Sequence, residues 1–239
     1  TEVIEKYSPT ILGVQEAWKF QVEHIESTVP GYAWVGVSRQ NIEGLDEYSA
    51  VFFRKDRFTL IDSGTFWLSE TPDTPSSKFS DTQSTARIVT WAGLESRQNG
   101  RTFFVFNTHF DTSSEDSVKE RSAALLVRRI AAIAQNHPTL VMGDFNDTVG
   151  SNAYRILTGA MTYEDVSGHL IDPWVVLGLP EEGTFHGFTG TSSHQSRIDW
   201  LLASEEFQPL SGSVLHDEKD GRYPSDHFPS IASFSWKTE

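Results

Sequence analysis

One pattern recurs five times along this chain: a stretch that reads as a strand adjoins polar residues able to do chemistry. The polar tips are Gln15-Glu16, Asn107 with His109, Asp144 with Asn146, Asp199, and Asp226-His227. Short apolar runs bounded by turn signals read as buried strands. Strand ends gathered on one rim of a sheet structure are where ligand sites collect. A chain patterned this way is expected to build its core from sheets and to bring its polar tips to one edge.

The clearest tip is Gly143-Asp144-Phe145-Asn146, which follows the apolar run Thr139-Leu140-Val141-Met142. The glycine permits a turn and a close backbone approach. Strand alternation then places Asp144 and Asn146 on one side and Phe145 on the other. An acid and an amide side by side suit work on a phosphate. The same residues are also common in plain turns, so this tip alone does not decide between the two.

The other elements follow from periodicity. Glu2 to Tyr7 reads as the last turns of a helix whose beginning lies upstream. A helix is expected over Trp18, Phe20, Val22 and Ile25, stopping before Pro30-Gly31. Tyr32 to Val37 reads as a strand. Ser49–Arg54 and Phe58–Ile61 flank Lys55-Asp56-Arg57 and are expected to pair as a hairpin. Arg87–Ala92 and Arg101–Phe110 are strands joined by a turn containing Asn99-Gly100. Residues 115–135 give the strongest helix, with Val118, Ser122, Leu125, Leu126, Ile130 and Ile133 on one face and Ser114 as N-cap. Tyr154–Leu157 reads as a short helix, residues 158–195 as mostly loop, and Ile198–Ala203 and Ser230–Phe234 as strands. No linker or repeat divides the 239 residues, so one domain over residues 1–239 is expected.

Composition narrows the chemistry. The chain has no cysteine, which excludes thiol catalysis, zinc–thiolate sites and disulfides. No apolar run approaches the ~20 residues of a membrane span. A net charge of −14 argues against a broad electrostatic footprint for nucleic acid. It does not exclude a phosphate substrate, because a bound divalent cation reverses the local field. Nothing in the sequence assigns a compartment, and a monomer is expected.

Taken together, Ile11-Leu12-Gly13-Val14-Gln15-Glu16, Asn107-Thr108-His109-Phe110-Asp111, Gly143-Asp144-Phe145-Asn146, Arg197-Ile198-Asp199-Trp200 and Ser225-Asp226-His227 resemble the endonuclease/exonuclease/phosphatase superfamily, in its order and across nearly the whole chain. The resemblance implies an α/β fold: a four-layer sandwich of two packed mixed sheets flanked by helices. It implies a metal-dependent phosphoesterase of the deoxyribonuclease-like kind. Glu16 would be the principal metal ligand, with Asp226 holding metal directly or through water. Mg²⁺ suits such an oxygen-rich site, with Mn²⁺ the alternative. Asp144 would orient or deprotonate the attacking water and Asn146 would donate to the phosphate. His227 would pair with Asp199, as base or as phosphate anchor. His109 would be a general acid or phosphate donor oriented by Glu47. Arg87 would contact phosphate. Asn107 would either bind phosphate or support the loop before His109.

Two departures stand out. The superfamily begins with a strand carrying an asparagine near the metal, and no such strand precedes residue 1. Thr112 stands where some relatives carry another histidine. The reading favoured by these residues is a phosphodiesterase or nuclease-like hydrolase. A phosphomonoesterase acting on a phosphorylated sugar, inositol or lipid head group is the alternative, and a binding module that has lost catalysis is the competing class. Trp67, Trp174, Phe185, His186 and Phe188 lie in or beside loops and either rim a cleft, stacking a base or packing on a sugar or lipid, or close the core, the second reading being favoured for Trp67 and Phe185.

Overall fold

The computed structural model describes residues 1–42, 44–82, 85–112 and 116–237. Among them, ten strands form three sheets. One runs β4-β5-β6-β7-β8, one β1-β3-β2 and one β10-β9. The long sheet consists of β4 (Phe58–Trp67), β5 (Ile88–Ser96), β6 (Thr102–His109), β7 (Thr139–Asp144) and β8 (Asp199–Ala203). The shorter ones consist of β1 (Ile11–Trp18), β2 (Tyr32–Val35) and β3 (Glu47–Arg54), and of β9 (Phe207–Val214) and β10 (Ser230–Trp236).

Three apolar cores define the layers. Val51 and Phe53 of β3, Leu94 of β5, Phe103 and Val105 of β6 and Phe207 of β9 meet between the sheets. On the far side of the long sheet, α3 (Asp116–Ala134) and α4 (Asn152–Leu157) bury Val118, Leu126, Ile156 and Leu157 against Phe106, Val141 and Leu202. On the far side of the small sheet, α2 (Lys19–Thr28) buries Val22 against Tyr48, Ala50 and Phe52. The result is the four-layer arrangement expected, helix–sheet–sheet–helix. Strands sandwiched between two apolar layers are buried on both faces, and β6 has seven buried residues in eight.

Most elements stand where periodicity put them. The helix α1 (Glu2–Tyr7) and the β5–β6 hairpin are both present. The N-cap expected at Ser114 lies outside the described residues. The expected hairpin of Ser49–Arg54 with Phe58–Ile61 does not form. Both edges of β3 are already bonded, to β1 and to β2. The chain therefore leaves that sheet at Lys55-Asp56-Arg57, and β4 pairs with β5 instead. Arg97 pins the crossing by donating Nε to the Lys55 carbonyl at 2.9 Å. A second addition is β9, whose Gln208-Pro209-Leu210-Ser211-Gly212-Ser213 carries little strand propensity. Its pairing with β10 supplies the order instead.

Candidate active site

The tip of β7 is made possible by Gly143. Its φ is 152°, and a Cβ there would stand 2.1 Å from the Thr108 carbonyl oxygen. Without that atom, β6 and β7 run parallel in register, and His109 lies directly beside Asp144. The next strand over places Asp199 opposite Asp144. Phe145 turns the other way, as alternation requires. Its ring stacks on Trp200 at 4.3 Å and meets Phe110 edge-on at 4.9 Å. The polar tips are thereby fixed to the aromatic core beneath them.

A run of acids and histidines crosses this rim. His227 Nδ1 lies 2.8 Å from Asp199 Oδ2, its Nε2 3.9 Å from Asp144 Oδ2, and Asp144 Oδ2 3.4 Å from His109 Nε2. Asp144 Oδ1 accepts the Asn146 amide at 2.8 Å. Burial, followed by the neighbouring charge of Asp199, pushes the Asp144 carboxyl up to about 7. Burial opposes a charge on His227, but the hydrogen bond and charge of Asp199 outweigh it and raise the imidazole to about 9. His109 goes the other way: burial, reinforced by Arg87 and Arg39, holds it well below the usual histidine range. At neutral pH the rim thus carries one charged and one neutral imidazole on either side of an acid poised near neutrality.

Glu16 extends this run. It occupies a β-bulge of β1, where Gln15 and Glu16 together oppose Ser49 between the pairs Val14–Ala50 and Ala17–Tyr48. Its φ of 56° is left-handed, a strained state for a residue with a side chain. The carboxylate stands 63% exposed with His109 at 3.9 Å. Glu16, Glu47 and His109 place one ligand atom each within 4.8 Å of one another, as do Asp144, Asp199 and His227. The first group offers two carboxylates, the oxygen donors that Mg²⁺ and Mn²⁺ favour, beside the His109 imidazole. In the second group, His227 Nδ1 is already engaged with Asp199 at 2.8 Å.

The other sequence candidates divide. Asn146 gives one side-chain N–H to the Phe110 carbonyl at 3.0 Å and retains a second donor. Among the described residues, Asp226 joins neither ligand group. Its carbonyl holds the His186 and Gly187 amides. Glu47 is not bonded to His109. It pairs with Arg39 Nη1 at 2.7 Å, and burial raises its carboxyl against that pull. Asn107 does not fit phosphate binding. It is 0% exposed, with its amide donating to the Val14 and Ala50 carbonyls and its oxygen accepting from Gln15. No donor remains for a ligand, and the residue ties β6 to β1 and β3. Arg87 is 8% exposed, and its Nε and Nη1 are buried without a hydrogen-bond partner. A buried guanidinium with idle donors among carboxylates calls for an anion.

Arg39 was not visible in the sequence as a site residue. It lies in a loop without a strand pattern, and only its contacts with Asp46 and Glu47 mark it. Trp67 is buried, its indole N–H donating to the Arg39 carbonyl at 2.7 Å, and Trp174 is buried against the Arg197 guanidinium. Neither lines a cleft. Phe185 meets the His227 ring at 5.1 Å, His186 is buried on Phe228, and Phe188 stands exposed. No described helix is long and apolar enough to cross a membrane.

Comparison with known proteins identifies the family. A sequence model described as the Endonuclease/Exonuclease/phosphatase family matches residues 1–227. A solved endonuclease/exonuclease/phosphatase from Bacteroides vulgatus is 30% identical with a TM-score of 0.86, over 99% of this chain and 88% of that one. A Bacteroides thetaiotaomicron mannosyl-6-phosphatase is 29% identical with a TM-score of 0.84, over 98% and 88%. The probable CCR4-Not complex 3'-5'-exoribonuclease subunit Ccr4 of Encephalitozoon cuniculi is 26% identical over 214 residues, 80% of this chain. The curated relatives are longer, and the chain spans 24%, 43% and 29% of their lengths. A match from Thr1 to His227, with the fold shared almost throughout, means that the chain belongs to the endonuclease/exonuclease/phosphatase family, whose members are hydrolases acting on phosphoester bonds.

Proposed function

We propose that this protein is a Mg²⁺-dependent phosphomonoesterase acting on a small phosphorylated polyol, with a phosphodiesterase as the second reading. The observation that carries a phosphate substrate is Arg87, whose two idle, buried donors lie within electrostatic reach of Glu47, Asp111 and Asp144. Three features favour a compact monoester. The chain's net charge is −14, which opposes binding along a nucleic-acid backbone. Arg39, itself paired with Asp46 and Glu47, adds positive charge near Arg87, which suits a doubly charged terminal phosphate. The mannosyl-6-phosphatase resembles this chain over nearly all of both lengths. The Ccr4 relatives, at 25–26% identity, keep the diester reading in view.

Glu16 and Glu47 would hold the cation. When bound, it supplies a Lewis acid at the phosphoryl oxygen and offsets charge on the leaving oxygen. Asp144, poised near neutrality, takes a proton from water held between the two histidines. Asn146 and Arg87 donate to phosphoryl oxygens. His227, kept protonated by Asp199, donates to the phosphate or to the departing alcohol oxygen, a role as acid rather than base. Ester and water become alcohol and inorganic phosphate.

The test is turnover of hexose phosphates and inositol phosphates against bis-aryl phosphate and single-stranded RNA, with Mg²⁺ and with EDTA. Release of inorganic phosphate from monoesters, abolished by EDTA and restored by Mg²⁺, is the expected result. Faster cleavage of the diester or RNA would overturn the monoester reading in favour of the second. Turnover unaffected by EDTA would overturn the metal-dependent reading of either. Arg87→Met should raise KM by at least about ten-fold, since charge-assisted bonds to phosphate are among the stronger ones. The same change should raise the melting temperature, because it removes a buried charge with idle donors.

A further inference from the structure

The segment Gly183 to Gly187 has no part in the chemistry above, yet it is bonded to both halves of the Asp199–His227 pair. Thr184 is 0% exposed. Its Oγ1 accepts the amides of Ile198 at 3.1 Å and Asp199 at 3.3 Å. Its carbonyl accepts the amide of Phe228, next to His227, at 2.8 Å. Phe185 forms a backbone bridge to His227, and the amides of His186 and Gly187 converge on the Asp226 carbonyl at 2.9 and 3.0 Å. Asp199 opens β8 while His227 sits in a loop, so their 2.8 Å contact depends on how those two backbones are held. Thr184 holds one with its hydroxyl and the other with its carbonyl.

We propose that Thr184 is a positioning residue that sets the distance and angle between the Asp199 carboxylate and the His227 imidazole. Its effect on rate rests on the phosphoesterase reading; its effect on geometry does not. The hydroxyl oxygen is the feature required. Valine has nearly the same shape without an acceptor, and leaves the Ile198 and Asp199 amides unmet in a buried place. Serine keeps the acceptor.

The experiment measures kcat, KM and the proton spectrum of Thr184→Val and Thr184→Ser beside the unaltered chain. The His227 Nδ1 proton is identified by its loss in His227→Gln. In Thr184→Val, kcat should fall about ten- to a hundred-fold with KM within about three-fold, as a sub-ångström displacement of catalytic groups predicts. The downfield Nδ1 proton should move upfield or broaden while the rest of the folded spectrum persists. Thr184→Ser should recover both. Unchanged kcat and an unchanged Nδ1 proton in Thr184→Val would overturn the proposal, as would a serine variant no better than valine. If Thr184→Val does not fold, Thr184→Ala takes its place; if neither folds, Thr184 is a folding residue and the proposal fails. If the unaltered chain hydrolyses no phosphate ester, the phosphoesterase reading has failed, and the Nδ1 proton alone decides the role of Thr184.

Discussion

Asp144→Asn should lower kcat by at least about 10², the usual scale for losing a proton acceptor at the reacting centre, and should make the metal-free protein more stable above neutral pH. The two effects share one cause. Burial and Asp199 raise the Asp144 carboxyl from 3.8 to about 7. Between those values the folded chain binds more protons than the unfolded one, so stability falls as pH rises through that window. Asparagine keeps the oxygen that accepts the Asn146 amide and never ionises. In EDTA, the two proteins should unfold alike in urea near pH 4. The variant should lead at pH 8 by an amount on the order of a few kcal/mol at most, given ~1.4 kcal/mol for each tenfold change in proton affinity. His227 adds a second slope. Its pKa is raised from 6.5 to about 9, so its contribution is complete below 6.5 and lost as pH rises through 9. A difference between the two proteins that stays flat from pH 4 to 8 would contradict this account of Asp144.

Gly143→Ala should be the most damaging single-methyl change in the chain's active rim. The added carbon would meet the Thr108 carbonyl oxygen at 2.1 Å, and the φ of 152° is one that side chains rarely adopt. Either β6 and β7 separate or the tip rotates, and both break the register that sets His109 beside Asp144. A loss above roughly 3 kcal/mol is expected, in the range reserved for overpacking joined to backbone strain. Gly100→Ala is the control. Its φ is 68° with nothing within 4 Å of the added carbon, so only the conformational cost of about 1 kcal/mol should appear. Equal losses at the two positions would refute the steric account of Gly143.

These two residues were legible in the sequence because each belongs to a local pattern. An apolar run, a glycine and an acid–amide pair define the tip without knowledge of what lies beside it. The β5–β6 hairpin was legible for the same reason, through alternation and its Asn99-Gly100 turn. What local patterns omit is which edge a strand has free. Lys55-Asp56-Arg57 has the chemistry of a hairpin turn, yet β3 had no edge left for β4. β9 was illegible because its pairing with β10, rather than its own residues, makes it a strand. Asn107 lies near the end of β6, but its donors go inward to Val14 and Ala50, which only the packing of one sheet on the other determines. Arg39 meets Asp46 and Glu47 across a loop, and Thr184 meets Asp199 and Phe228 across loops, and no helix or strand spacing connects such residues.

The stack of Phe145 on Trp200 and Phe110 has a consequence for how the protein comes apart. The Phe145 amide donates to the Ile198 carbonyl and the Phe110 amide to the Asp144 carbonyl, so the amides one residue beyond β6 and β7 are bonded and their residues fully buried. Such protons exchange with solvent only through the largest openings of a fold. In deuterated water the Phe110 and Phe145 amides should be among the slowest to exchange, at a rate that tracks global stability. Heat should then remove activity and structure in a single step, with no folded but inactive species between them.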